Sequence, residues 1–254
     1  MDKISIIMNC AYGVQFIKEA IDSVFSQTYP DWEIVFVDNC CADGSVQIAR
    51  SYEHTGRVRY VRTASRIPLY AARNVGVQSA AGRYIAFHDV DDVLEPNALE
   101  RLHAKMQPDL TFVYGGYRYI DGSGTFLPRK IQGHASGNIA NQLLYRPFIA
   151  IGCILLRREI FDKEQFDASY DILGDFDMWL RLSANGALCD FVDEHLTRIR
   201  VHGANMSIVK FHKWIQEERR CYRNFLAVQG LRYPMILFAV LKFEVSHLIR
   251  RRRI

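Results

Sequence analysis

A chain of 254 residues that is 49% hydrophobic and 24% charged has the composition of an ordinary globular protein, long enough for one α/β domain with a sizeable core. The formal net charge of +4 does not suggest a nucleic-acid partner, although the basic residues are uneven and run together from Arg250 to Arg253, as would suit an anionic surface. Six cysteines at positions 10, 40, 41, 153, 189 and 221 form no CxxC pair or Cys/His ligand spacing, which argues against zinc. The first residues show no charged stretch leading into a long apolar one, and the longest apolar run, Met235 to Leu241, is far short of the ~20 residues a membrane span requires. The expectation is a cytoplasmic protein with reduced thiols.

"ISIIM" (4–8) is an unbroken apolar run, the mark of a strand buried on both faces. "FIKEAIDSVFSQ" then places Phe16, Ile17, Ala20, Ile21, Val24 and Phe25 on one helical stripe. After Pro30, "EIVFVD" (33–38) reads as a second buried strand that ends in a carboxylate. "GSVQIARSY" predicts a helix and "RVRYVRT" (57–63) a third strand. "YAARNVGVQSA" predicts a helix ending at Gly82, where glycine suits a helix C-terminus. "YIAFHD" (84–89) is the fourth strand, and Pro96 suits the first position of a helix over "PNALERLHAKM". This βαβαβαβ order implies a parallel sheet with right-handed crossovers and helices on both faces. Ligands of such sheets bind at the carboxyl ends of the strands. Those ends carry Asn9 and Cys10, Asp38 and Asn39, and the carboxylates of Asp89 to Asp92, which together predict a nucleotide-type cleft.

The second half reads differently. "LTFVYGGYRYID" (110–121) predicts strand, bend and strand, with "DGSG" as a hairpin turn. "FIAIGCILLRREIF" is apolar and turns polar at an expected helix start. "DILGDFDMWLRLSANG" (171–186) predicts a helix opened by acidic residues, and "LTRIRVHGANMS" (196–207) a strand running into a loop. From Lys210 the chain reads as helical, basic and aromatic.

Asp89, Asp91 and Asp92 repel one another, and two explanations of their crowding stand. Asp92 or Glu95 could stabilise the helix that follows. Alternatively, a hard divalent cation, Mg²⁺ or Mn²⁺, could use one or two of the carboxylates together with phosphate oxygens. Asp175 and Asp177 likewise read either as first-turn acids that complement a helix dipole or as functional carboxylates.

Five segments, "ISIIMNC", "FIKEAIDSVFSQTYPDWEIVFVDNCCADGS", "YAARNVGVQSAAGRYIAFHDVDD", "GDFDMWLRL" and "RVHGANMS", resemble in order and spacing the family 2 inverting glycosyltransferases of GT-A fold, in particular bacterial enzymes of surface-polysaccharide assembly. The resemblance runs over roughly residues 3 to 207 and implies an α/β fold of GT-A type: a Rossmann-like, mostly parallel sheet with flanking helices, an acceptor region after it, and a helical tail. It implies that residues 1–109 bind the nucleotide sugar, that 110–207 carry the acceptor site and catalytic base of the same domain, and that 208–254 form a basic amphipathic tail. By position, Asp38 would accept a hydrogen bond from the nucleotide base and Cys10 would line that site. Asp89 would lie near the ribose, Asp91 would hold the metal, and His202 would sit near the diphosphate or metal. Arg73 and Asn74 would contact donor-side groups, and Asp175 would be the catalytic base. The chain departs from the family pattern at Ala11, where a stacking tyrosine is usual and Tyr12 follows, at "CAD" (41–43), and at Gly174, where a second carboxylate is usual.

The implied reaction is transfer of a sugar from a nucleoside diphosphate sugar, with UDP as the default nucleotide, to a hydroxyl of a glycan or lipid-linked acceptor with inversion, as in O-antigen or capsule assembly. The implied cofactor is Mn²⁺ or Mg²⁺. The tail suits either a contact with the inner face of the membrane or packing on the body. A sugar nucleotidyltransferase would want a glycine-rich phosphate loop after the first strand, which "NCAYGVQF" lacks. A catalytically silent nucleotide- or sugar-binding protein of the same fold would bind nucleotide without turnover.

Overall fold

The computed structural model describes residues 2–128, 134–145 and 147–229. The chain begins β1 (Ile4–Cys10), α1 (Ile17–Phe25), β2 (Trp32–Asp38), α2 (Ser45–Arg50), β3 (Val58–Arg62), α3 (Leu69–Gln78) and β4 (Tyr84–Phe87). It continues through β5 (Val93–Leu94), α4 (Ala98–Lys105), β6 (Phe112–Ile120), β7 (Phe126–Leu127), α5 (Ala140–Tyr145) and β8 (Ile154–Arg157). The last described elements are α6 (Gly174–Ala184), β9 (Cys189–Arg200), α7 (Met206–Val209) and α8 (Phe211–Gln229). The strands form one sheet in the order β3-β2-β1-β4-β8-β6-β9-β5, with β7 paired to β6.

The apolar runs form strands buried on both faces because helices cover both sides. Every residue of β2 is buried, and so is every residue of β1 except Asn9. On one face Ile7, Val35 and Val37 pack with residues of α3 and α6, while on the other Ile6, Met8, Ile34 and Phe36 pack with α1 and α4. β3, β2, β1 and β4 are mutually parallel, as the βα alternation predicts. Beyond β4 the sheet turns mixed: β8 lies antiparallel between β4 and β6, and β6 runs parallel to β9.

Four local expectations are corrected. α3 stops at Gln78, four residues short of Gly82. A Cβ at Gly82 would lie 2.6 Å from the Ser5 amide nitrogen, so the glycine serves a close backbone approach to β1. α4 starts at Ala98, not at Pro96, because Val93 and Leu94 first form β5 opposite Arg198 and Thr197 of β9. The polar turn after "FIAIGCILL" is a short 3₁₀ segment, Arg158–Asp162, that follows β8. The predicted bend in "LTFVYGGYRYID" is a register irregularity at Gly115 and Gly116 within one continuous β6, where Leu196 of β9 fills the space a Cβ at 115 would need. All six cysteines are free thiols. Among the described residues no helix is long and apolar enough to cross a membrane. Of the expected tail, 208–254, the part up to residue 229 is described and packs on the body, with Cys221, Tyr222 and Phe225 of α8 in the core beside α6, while 230–254 lie outside the described residues.

Candidate active site

From β1 the chain adds β2 and then β3 on one side, and β4 returns to the other side of β1. The connections therefore diverge between β1 and β4, which opens a crevice at the carboxyl ends of these strands. Cys10 and Asp38 stand opposite each other there in the β1–β2 register.

Asp38 is buried. Its Oδ1 accepts the Cys41 N–H at 2.8 Å, its Oδ2 accepts the Tyr60 hydroxyl at 2.5 Å, and Arg62 lies 3.6 Å away. Burial pushes this carboxyl up, but the Tyr60 hydroxyl, the Cys41 amide and Arg62 outweigh it and hold Asp38 below the usual carboxylate range. Cys10 is buried against Cys41, and that thiol–thiol hydrogen bond, opposed by burial, draws Cys10 below its ordinary value. Asp43 ties the two flanking loops together. Its Oδ2 accepts the N–H groups of Gly13 and Val14, and its Oδ1 accepts those of Ser45 N–H and hydroxyl. Against partial burial, these bonds hold the Asp43 carboxyl at about 2. Tyr12 is 63% exposed at the rim, with the Arg66 guanidinium 4.6 Å from its ring centre.

The carboxylates after β4 have separate partners. Asp89 Oδ1 accepts a 2.7 Å hydrogen bond from Arg73, whose guanidinium is almost wholly buried. Asp91 Oδ2 lies 2.9 Å from His202 Nε2 and accepts the Asn205 side-chain amide at 3.2 Å. Asp92 is buried, and its Oδ1 accepts the Arg200 N–H at 2.8 Å. The two-residue β5 produces this arrangement, because its pairing with β9 carries Arg200 to His202 against the carboxylate turn. Arg200 is itself buried, donating to the Asp91 carbonyl at 2.8 Å and to Glu19 at 2.6 Å. Burial, and then the Asp89 charge, push the Asp91 carboxyl above its ordinary value against the pull of His202.

Asp175 opens α6 on the far side of Arg73. Its Oδ1 accepts the Phe176 N–H at 2.8 Å and the Tyr70 hydroxyl at 3.1 Å. Burial raises its carboxyl above the usual range, while Arg73, the Phe176 amide and Tyr70 hold it down in part. The structure thus brings Arg73, Asp89, Asp91, Asp175 and His202 around one crevice, with Cys10 and Asp38 beneath its β1–β2 edge. Asn74 stands apart from this cluster: both ends of its amide bond the Phe166 backbone, at 2.9 and 3.1 Å, bracing α3 against the segment before α6. Asn205, Arg200 and Tyr70 all lie inside the singled-out segments "RVHGANMS" and "YAARNVGVQ", but their partners come from distant parts of the chain and are visible only in the packing.

A family model for glycosyl transferase family 2 matches residues 5–164, more than half of the chain. The chain belongs to glycosyl transferase family 2. This family 2 chain is 30% identical over 217 residues to the Bacillus subtilis protein TuaG, named for teichuronic acid biosynthesis, in an alignment covering 83% of this chain and 82% of TuaG. An uncharacterized glycosyltransferase of Rickettsia felis is 25% identical over 214 residues, which is 84% of this chain but 35% of that protein, so the chain spans about a third of that relative's length. In fold it is similar to S. aureus TarS 1–349 in complex with UDP-GlcNAc, with a TM-score of 0.73 at 16% identity over 91% of this chain and 67% of the other. It is similar also to the mannosyltransferase PcManGT of Pyrobaculum calidifontis in complex with GDP-Man and Mn²⁺, with a TM-score of 0.70 at 17% identity over 95% and 68%. The mixed α/β sheet with flanking helices is the GT-A arrangement of these structures.

The residues of this family 2 chain fit a divalent cation at Asp91. One Asp91 oxygen is held by His202 and Asn205, and the other accepts from no other described residue, which leaves it available to a cation. Among the described residues no cluster of three His, Cys, Asp or Glu side chains could hold a metal alone. A Mg²⁺ or Mn²⁺ site built on one or two carboxylates is completed by phosphate oxygens and water.

Proposed function

We propose that this chain is a metal-dependent inverting glycosyltransferase that moves a sugar from a nucleoside diphosphate sugar, UDP by expectation, to a hydroxyl of a glycan or lipid-linked acceptor in bacterial surface polysaccharide assembly, O-antigen or capsule among them. The observation that carries this is the placement of Asp175, with one oxygen anchored and Oδ2 free of hydrogen bonds from other described residues, across Arg73 from the Asp89–Asp91 turn. TuaG, named for teichuronic acid biosynthesis, supports the polysaccharide pathway class, and TarS with UDP and UDP-GlcNAc supports the nucleotide.

In this account Asp38, Cys10 and the Tyr12 rim receive the base, Asp89 meets the ribose and Arg73 shapes the donor side, while Asn74 only braces α3 against the Phe166 backbone. Asp91 holds Mn²⁺ or Mg²⁺, with His202 beside it. When bound, the cation supplies Lewis-acid stabilisation of the departing diphosphate. Asp175 Oδ2 takes the proton of the acceptor hydroxyl as that oxygen attacks the anomeric carbon. Arg73 donates to Asp89, and its fixed positive charge also favours the anion of Asp175 against the burial that raises that carboxyl. One displacement with no enzyme-bound intermediate inverts the anomeric centre. The enzyme works at the cytoplasmic face of the membrane, where lipid-linked acceptors are presented, with the basic tail as the membrane contact.

The test is release of nucleoside diphosphate from a panel of UDP-GlcNAc, UDP-glucose, UDP-galactose, dTDP-glucose and GDP-mannose with Mn²⁺, first with water and then with candidate acceptors. Release from one donor, abolished in Asp175→Asn, and a product of inverted configuration by NMR are expected. Nucleotide binding with no release from any donor would favour a silent binding protein, and a retained configuration would overturn the single displacement.

A further inference from the structure

Asp175 is faced by Tyr70 and Arg73 from α3, by Asp89 from the end of β4 and by Cys221 from α8. Of these, Tyr70 alone donates a side-chain hydrogen bond to it, at 3.1 Å to Oδ1. The same hydroxyl lies 2.5 Å from the Ile172 carbonyl oxygen. A phenol carries one proton, so two acceptors compete for a single donor.

The ring that carries this hydroxyl has no room to move. Tyr70 is buried, packs on Phe166 with centroids 5.5 Å apart, and lies beneath the Arg73 guanidinium at 5.1 Å. A Cβ at Gly174 would stand 2.6 to 2.8 Å from three of its ring carbons. The aromatic ring therefore occupies the space of any side chain at the residue preceding Asp175, and glycine there is the condition for Tyr70 to reach the carboxylate.

We propose that Tyr70 is a positioning residue that supports Asp175 in its carboxylate state and releases it on protonation, turning its one phenolic proton between Asp175 Oδ1 and the Ile172 carbonyl; this rests on Asp175 being the base. While Asp175 is a carboxylate, Tyr70 donates to Oδ1 and leaves Oδ2 as the open oxygen. Once the acceptor's proton has moved to Oδ2, Tyr70 turns to Ile172 and withdraws support the neutral carboxyl no longer needs. One proton moves, from acceptor to Asp175, and the phenolic proton never leaves its oxygen.

The test reads Asp175 directly in the free protein. With aspartate labelled at the carboxyl carbon, the Asp175 resonance is assigned by its loss in Asp175→Asn and followed against pH. Tyr70→Phe keeps the ring and removes the donor, so the titration midpoint should rise by about one pH unit, with kcat reduced about tenfold and donor KM changed less than twofold. An unmoved midpoint overturns the proposal whatever happens to activity. Should Tyr70→Phe fail to fold, 3-fluorotyrosine at position 70 supplies a more acidic donor of nearly the same shape, and the midpoint should fall; again an unmoved midpoint overturns it. Asp175→Asn in the donor-release assay separates the two layers. Retained turnover overturns the base assignment and the positioning role with it, whereas lost turnover with an unmoved midpoint in Tyr70→Phe overturns the positioning role alone.

Discussion

Arg73 donates to Asp89 at 2.7 Å from a guanidinium that is almost fully buried, and its charge also acts on Asp175. A buried cation between two carboxylates couples the donor side of the crevice to the base. Removing it leaves two uncompensated acids, which is more damaging than the loss of a single surface pair. Arg73→Lys keeps the charge but not the planar fork that matches a carboxylate. It should retain the fold, measured by thermal unfolding, and lose most turnover; unchanged turnover would show that geometry at Arg73 is immaterial.

Asp91 and its partners make a graded prediction. Asn205→Ala and His202→Ala remove side chains that orient the carboxylate, and each should weaken Mn²⁺-dependent nucleotide binding by about 10- to 100-fold. Asp91→Asn should remove the metal dependence altogether. Titration calorimetry orders the three, and equal loss in all of them would assign the metal to a different residue.

Asp175 fixes the sign of two pH effects. Its carboxyl is raised in the folded protein, with burial as the main cause. Transfer requires the carboxylate, so turnover should fall as pH drops through that raised value, above the ~3.9 of an ordinary aspartate. For stability the sign is opposite: the unfolded chain releases this proton at the ordinary value, so the contribution of Asp175 is fully present below it and is lost as pH rises through the folded value. Asp175→Asn should accordingly be more stable at neutral pH while inactive, as denaturant unfolding beside the release assay would show.

Asp43 is the reverse case. Its carboxyl sits at about 2 because four hydrogen bonds favour the anion. The stability it contributes is present above the ordinary aspartate value and is lost as pH falls from there toward 2. Asp43→Ala should cost about 1–2 kcal/mol and loosen the Gly13–Val14 loop, lowering nucleotide affinity without affecting Asp91. Unfolding curves and nucleotide titration check the two effects separately.

Gly174 makes a packing prediction. Gly174→Ala forces a methyl to within 2.6 Å of the Tyr70 ring and should destabilise by about 1–3 kcal/mol. Combined with Tyr70→Ala, the two losses should be clearly less than additive, since the second change makes room for the first. Strict additivity in a double-mutant cycle would mean that the ring and the methyl do not meet.

The parts of the fold that were legible in the sequence are those whose signal is local. β1, β2 and β4 announce themselves as apolar runs ending in polar residues, and their carboxyl ends locate the crevice. β5 was invisible because two residues, Val93 and Leu94, carry no periodicity; only pairing with β9 makes them a strand. Gly82 misled because a glycine after a helix looks alike whether it ends the helix or lets two backbones touch. Within the site, the crowded carboxylates after β4 stood out as mutually repelling charges, and Asp175, in the first turn of α6, was singled out by the family resemblance. Tyr70 was not, since an aromatic on a helix reads as core until Gly174, 104 positions later, is seen to leave room for it. Arg200 was hidden for the same reason: its partners Asp91 and Glu19 come from distant segments.

The central claim, that the crevice between β1 and β4 binds a nucleoside diphosphate through a cation on Asp91, is tested most directly by calorimetric titration of UDP, dTDP, GDP and CDP into the wild-type protein and Asp91→Asn, each with and without Mn²⁺. The account predicts one preferred nucleotide whose binding to wild type requires Mn²⁺ and whose metal dependence disappears in Asp91→Asn. Equal affinity with and without Mn²⁺ in both proteins, or no binding of any nucleotide to the folded wild type, would contradict it.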